Sequence, residues 1–197
     1  LAELVRPTMP HYGEQWVKTY SRILELLQMI HQTRNRVYIL PGSGSCGVDA
    51  VFTSLGKKRG LILDNGTFGT RLATIASRHL ARTQVIEKPP GVPFEAGEMA
   101  RRLDEEEYDL LAMVHGETST GMLNPLEETA EICRSKGLLF IVDAVSTLAG
   151  VPIPVDRLGV DFCISASQKA LGAPPGLATV SVSERGWQAM PEEAAIA

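Results

Sequence analysis

The sequence predicts an α/β protein built on a mainly parallel sheet with helices on both faces. Short apolar runs alternate with helical patterns along nearly the whole chain. Runs such as Leu139-Phe140-Ile141-Val142 are apolar at every position, as in strands covered on both faces. The intervals between such runs are long enough for a helix and leave little room for hairpins.

Taken in order, residues 13–32 carry Trp16, Val17, Tyr20, Ile23, Leu24, Leu27 and Ile30 at i, i+3, i+4, i+7 spacing, an amphipathic helix. Residues 37–40 read as a strand, and 45–55 as a helix opened by a glycine-rich turn. Strand 60–63 precedes helix 69–80, strand 84–87 precedes helix 96–103, and strand 110–114 precedes helix 125–136, closed by Gly137. Strands 138–142, 162–165 and 179–183 complete the set.

The 197 residues suffice for one sizeable α/β domain or two small ones. Composition is that of a packed globular chain, with 44% hydrophobic and 21% charged residues. A net charge of −4 gives no basic field for nucleic acid or an anionic membrane. Arg34/Arg36 and Lys57-Lys58-Arg59 are too short to be polybasic tracts. No apolar run reaches the roughly 18 residues that span a bilayer. Cys46, Cys133 and Cys163 are odd in number, widely spaced and without a CxxC pair, which favours a reducing compartment such as the cytoplasm. The chain opens on Leu1, so a peroxisomal or mitochondrial address stays open.

In parallel sheets ligands bind beyond the carboxyl ends of the strands, so the residues that follow each strand are the informative ones. After the first strand, Gly42-Ser43-Gly44-Ser45 leads into a helix N-terminus. That is a phosphate cradle by its physics, and equally a tight strand–helix turn. After the next comes Asn65-Gly66-Thr67-Phe68-Gly69, where Phe68 can lie over a planar ligand or sit in the core. His115-Gly116-Glu117-Thr118-Ser119-Thr120-Gly121 is dense in hydroxyls, and its His115 and Glu117 exceed what a plain loop needs. Asp143 closes a wholly apolar strand, where a carboxylate is costly unless it is paired, caps or is in use. Lys169 stands among small and apolar residues, in a stretch ending in the stiff Pro174-Pro175-Gly176. Such a setting can lower the pKa of a lysine amine, as a Schiff-base lysine needs; the other reading is a surface loop lysine.

Together GSGSC (42–46), NGTFG (65–69), HGETSTG (115–121), VDAVSTLAG (142–150) and SASQKALGAPPGLA (165–178) resemble the class V aminotransferases of pyridoxal-phosphate fold type I. Within that class they are nearest the alanine–glyoxylate and serine–glyoxylate (serine–pyruvate) group. The likeness runs from about residue 7 to 187, and the 26 positions from Asp143 to Lys169 match the family spacing. It implies that Lys169 holds pyridoxal 5'-phosphate as a Schiff base and then moves the substrate proton. It also implies that Asp143 pairs with the pyridine nitrogen, Phe68 stacks on the ring and Thr118 binds its phenolic oxygen. By the same likeness Ser43, Gly44 and Ser45 would bind the phosphate, with Gln168 close by. Many relatives carry Trp or Tyr at the Phe68 position, and some carry His at the Ser45 position.

The resemblance further implies a homodimer whose partner completes the phosphate site, and a C-terminal small domain whose Arg holds the substrate carboxylate. Residues 1–197 would then be a large domain truncated at both ends, with the small domain absent and weak activity in isolation. The reaction implied moves an amino group from alanine or serine to glyoxylate or pyruvate. 2-Aminoethylphosphonate–pyruvate and pyridoxamine–pyruvate aminotransferases are close alternatives. A cysteine desulfurase would carry His before its lysine, where this chain has Gln168, and needs a mobile catalytic cysteine that none of the three provides. A non-catalytic dinucleotide module would show GxGxxG after its first strand, and none is present.

Overall fold

The computed structural model describes residues 7–191. The chain runs α1 (Glu14–His31), β1 (Arg36–Pro41), α2 (Gly44–Leu55), β2 (Arg59–Asp64), α3 (Thr67–His79), β3 (Arg82–Glu87), α4 (Ala96–Glu105) and β4 (Leu110–Val114). It continues through β5 (Gly116–Glu117), β6 (Met122–Leu123), α5 (Leu126–Lys136), β7 (Leu139–Asp143), α6 (Val155–Leu158), β8 (Phe162–Ala166), β9 (Leu177–Val182) and α7 (Glu184–Gln188). Each expected strand and helix is present with ends shifted by a residue or two. Gly137 closes α5 in the left-handed conformation, φ 68°.

The main sheet has seven strands in the order β1-β9-β8-β7-β4-β2-β3. The pairs β2–β3, β2–β4, β4–β7 and β7–β8 are parallel, while β9 runs antiparallel to both β8 and β1. The expectation of little room for hairpins fails in two places. Residues 167–176 turn β8 directly back into β9, and β5 with β6 forms a small antiparallel ribbon. Strands of two residues are too short to show a period in sequence.

Alternation across the sheet sends the side chains of one strand into two cores. Leu61, Leu63, Leu111, Met113, Phe140 and Val142 pack against α4 and α5 through Met99, Leu103, Leu126 and Ala130. Ile62, Leu110, Ala112, Leu139, Ile141 and Ile164 pack against α2 and α3 through Val48, Phe52, Leu55, Leu72 and Ile75. Both faces are covered, which is why the β4 and β7 sequences show no polar alternation. A side chain as fully buried as Phe140 contributes about 1.5–3 kcal/mol relative to exposure.

Helix α1 departs from its amphipathic reading, because its stripe meets the core only at its C-terminal end. Leu27 and His31 are buried, whereas Val17 is 59% exposed. His31 Nε2 lies 3.2 Å from Thr179 Oγ1 on β9, and burial lowers its pKa to about 4, so it packs there as neutral imidazole. Among the described residues no helix is long and apolar enough to cross a membrane.

Candidate active site

The parallel strands end at one edge of the sheet, and the segments that follow them line one cleft. Its walls include Ser43, Gly44, Ser45, Phe68, Thr118, Asp143, Gln168 and Lys169, so the eight residues to which the resemblance gives a cofactor role meet there, while His115 and Glu117 do not line it. They come from five separate stretches of chain; parallel pairing brings four of them level, and the antiparallel β1–β9 ladder carries the fifth, 43–45. Val114 is opposite Asp143, and Asp143 is opposite Ile164.

Asp143 is the last residue of β7 and is partly buried on the cleft floor. Its Oδ1 accepts a hydrogen bond from Val145 N at 3.0 Å. Burial pushes its carboxyl up to about 6; the Val145 N–H opposes the rise, Glu117 adds to it and Arg71 opposes it. Among the described residues no Lys, Arg or His forms an ion pair with this carboxylate.

Lys169 lies three residues past the end of β8, on a loop folded around Ser167. Ser167 Oγ donates to Pro174 O at 2.6 Å, Ala173 N donates to Ser167 O at 2.9 Å, and Gly172 N donates to Lys169 O at 2.9 Å. Gln168, Lys169 and residues 172–177 are exposed, so the apolar enclosure expected around Lys169 is not present in this chain. The small residues instead let the loop turn tightly. Among the described residues no carboxylate pairs with the Lys169 ammonium.

Phe68, in the first turn of α3, satisfies both of its readings. It packs against the core on one side and faces the cleft on the other, with the Arg71 guanidinium 5.2 Å from its ring centroid. Opposite, the Thr118 and Ser146 hydroxyls are hydrogen-bonded to each other. Ser43 precedes α2 with its side chain free of any capping bond, and the α2 N-terminus opens onto the cleft. That close seating needs glycine at 44, since a Cβ there would come within 2.5 Å of Val145 Cγ2. His115 is buried outside the cleft lining, with Nδ1 3.0 Å from Thr147 Oγ1, a packing role.

Sequence reading missed Arg71, Val145 and Ser146, which also line the cleft. Signals for them existed. Val145 and Ser146 directly follow Asp143, and Arg71 lies three residues after Phe68, on the same face of a helix. Glu117, one acid more than its loop needs, is fully buried beside the cleft and accepts from the backbone amides of Phe68 and Gly69.

A mainly parallel seven-stranded sheet with one reversed strand and helices on both faces is the fold the chain shares with the fold type I pyridoxal-phosphate aminotransferases. The chain belongs to the class V aminotransferase family, whose family model matches residues 3–194. It is 35% identical over 182 residues to the (S)-ureidoglycine–glyoxylate transaminase of Bacillus subtilis, a match covering 91% of this chain and 44% of that protein. The crystal structure of alanine–glyoxylate aminotransferase from Nostoc sp. superposes with a TM-score of 0.89 at 36% identity, over 95% of this chain and 50% of that one. Pyridoxamine–pyruvate aminotransferase from Mesorhizobium loti gives a TM-score of 0.91 at 28% identity, over 96% and 49%. The chain therefore spans about half the length of the relatives it matches.

Proposed function

We propose that this chain is the cofactor-binding large domain of a pyridoxal-phosphate aminotransferase that moves an amino group from a small amino acid to glyoxylate or pyruvate. The observation that carries the reading is the convergence of Lys169, Asp143 and Phe68 on one cleft from three distant segments. The cleft fits the cofactor feature by feature. Asp143 is a poorly solvated carboxylate without a cationic partner, a match for a protonated ring nitrogen. Phe68 and Val145 are apolar surfaces for a flat ring, Thr118 and Ser146 offer hydroxyls, and Ser43, Ser45, Gln168 and the α2 N-terminus offer donors to a phosphate.

When bound, the cofactor supplies an aldehyde carbon that exchanges amines and a ring that accepts electrons. The residues supply the rest. Asp143 ionises against the ring nitrogen and holds a proton there. Lys169 Nζ anchors the cofactor covalently and, once free, carries a proton to and from the substrate carbon. Phe68 fixes the ring plane, and Thr118 with Ser146 orients the ring oxygen.

Glyoxylate is favoured as acceptor because the Bacillus and Nostoc relatives are both named for it. Pyruvate is kept by the Mesorhizobium relative. The homodimer, the carboxylate-binding Arg in a further domain and the weak activity of residues 1–197 alone belong to the same proposal. So does a reducing compartment, which suits three free thiols. The test is borohydride reduction of protein loaded with pyridoxal phosphate, followed by peptide mass analysis. A pyridoxyl adduct on Lys169 is expected; an adduct on another lysine, or none, overturns the reading.

A further inference from the structure

Helix α3 has no side-chain cap of its own, since Gly66 stands at its N-cap. Its first three amides are nevertheless all bonded, and all to the hairpin segment. Thr67 N donates to Ser119 Oγ at 3.1 Å, and Phe68 N and Gly69 N both donate to Glu117 Oε2 at 3.0 Å. The other carboxylate oxygen, Oε1, accepts from Ser119 N at 3.0 Å and from Ser119 Oγ at 2.5 Å. Glu117 is fully buried and forms no ion pair among the described residues. A buried carboxyl group without a cation is tolerated because four N–H and O–H groups and the positive end of a 13-residue helix surround it. Gly66 makes room for it, since a Cβ there would stand 2.5 Å from Glu117 Cγ. A second tie runs alongside. Asn65 Nδ2 donates to Asn124 Oδ1 at 2.7 Å, and Asn124 Nδ2 returns a bond to Asn65 Oδ1 at 3.2 Å.

The residues on either side of this knot face the cleft. Phe68 is bonded through its own amide, and Thr118 is the next residue after Glu117. We propose that Glu117 is a positioning residue that fastens the Phe68 backbone to the Thr118 hairpin and so fixes the spacing of ring platform and hydroxyl across the cleft. This rests on the proposed function for what fills the cleft, but the fastening itself is a property of the cofactor-free chain. Glu117 touches neither substrate nor cofactor in this role; it acts through Phe68.

The test pairs two readouts on purified protein. The first is amide hydrogen exchange without cofactor. Glu117→Ala should speed exchange at Phe68 and Gly69 well beyond the rest of α3, whereas Glu117→Gln, whose Oε1 can still accept both amides, should retain most of the protection. The second is a pyridoxal-phosphate titration of wild type, Glu117→Ala, Phe68→Ala and the double variant, with visible circular dichroism of the bound cofactor. Glu117→Ala should weaken binding about tenfold and alter the dichroic band, and should add under about threefold once Phe68 is already Ala. Multiplicative losses in the double variant, or wild-type affinity with an unchanged band in Glu117→Ala, would overturn the positioning role. Should Glu117→Ala not fold, Glu117→Gln carries the test, with Phe68→Ala as its partner in the cycle. There, unprotected Phe68 and Gly69 amides with full cofactor affinity would overturn it. Wild type that takes up no cofactor sinks the proposed function instead, and the exchange experiment still decides the fastening.

Discussion

Asp143 at the end of β7 and Lys169 beyond the end of β8 open onto the same cleft although 26 positions separate them. Parallel pairing is the cause. Asp143 stands in register with Ile164, so five further residues, two of β8 and three of its loop, carry the chain past the sheet edge to Lys169. The two groups that the proposed chemistry needs are thus placed by backbone hydrogen bonds rather than by contact with each other.

Asp143→Asn should separate stability from function. The folded-state pKa of Asp143 is raised to about 6, above the ordinary carboxylate value near 4, so the folded protein binds the extra proton. Its favourable contribution is complete below about pH 4 and is lost as pH rises through about 6. At about 1.4 kcal/mol per pKa unit, the ionised group costs on the order of 3 kcal/mol at neutral pH. Cofactor-free Asp143→Asn should therefore melt higher than wild type at pH 7.5 and equally at pH 4, while turnover of the loaded full-length enzyme falls by orders of magnitude. Equal melting temperatures at pH 7.5 would contradict the buried-carboxylate account.

Lys169→Ala should keep the fold, because the side chain is exposed and makes no ion pair among the described residues. Melting within about 0.5 kcal/mol of wild type is the expectation for such a surface change. The near-violet absorbance of cofactor joined to lysine should vanish. Survival of that band would move the attachment to another lysine.

Phe68→Ala should weaken cofactor binding by about 1–3 kcal/mol, the scale of a lost stacking face together with the area it covers. Unchanged affinity with lowered thermal stability would assign Phe68 to the core alone.

Gly44→Ala tests the seating of α2. A methyl group 2.5 Å from Val145 Cγ2 and 3.4 Å from Ala166 Cβ cannot be accommodated without displacing Val145. Destabilisation of about 1–3 kcal/mol is expected. A paired Gly44→Ala/Val145→Ala variant should recover part of it, and a lack of recovery would place the clash elsewhere.

Much of this was legible because parallel sheets write themselves plainly. The runs at 110–114 and 139–142 are apolar throughout, and parallel sheets take their ligands beyond the ends of such strands. Other features were hidden for specific reasons. The direction of β9 depends on a ten-residue loop short enough to turn back, which apolar content does not reveal. Apolar content ends the second strand at Leu63, yet Asp64 is its last residue and turns the chain by accepting from Gly66 N at 3.1 Å. The apolar letters around Lys169 suggested enclosure, but they serve the turn and lie exposed. Glu117 could be recognised as one acid too many for its loop; its partners, two backbone amides nearly fifty positions away, leave no trace in side-chain identity.

The pairing of β1 with β9 joins Arg36 to Val182, so among the described residues β1 has its one ladder partner 146 positions later in the chain. During synthesis β1 must wait for almost 150 further residues, with its backbone donors and acceptors facing water or a chaperone. The glycine turn at 42–45 hangs from that waiting strand, and Gly42 N is bonded to Gly176 O at 2.7 Å at the mouth of β9. Nascent chain released before residue 182 emerges would pair β2, β3, β4, β7 and β8 and still leave the glycine turn without the ladder that holds it, so the anion site proposed there forms only after the rest of the cleft.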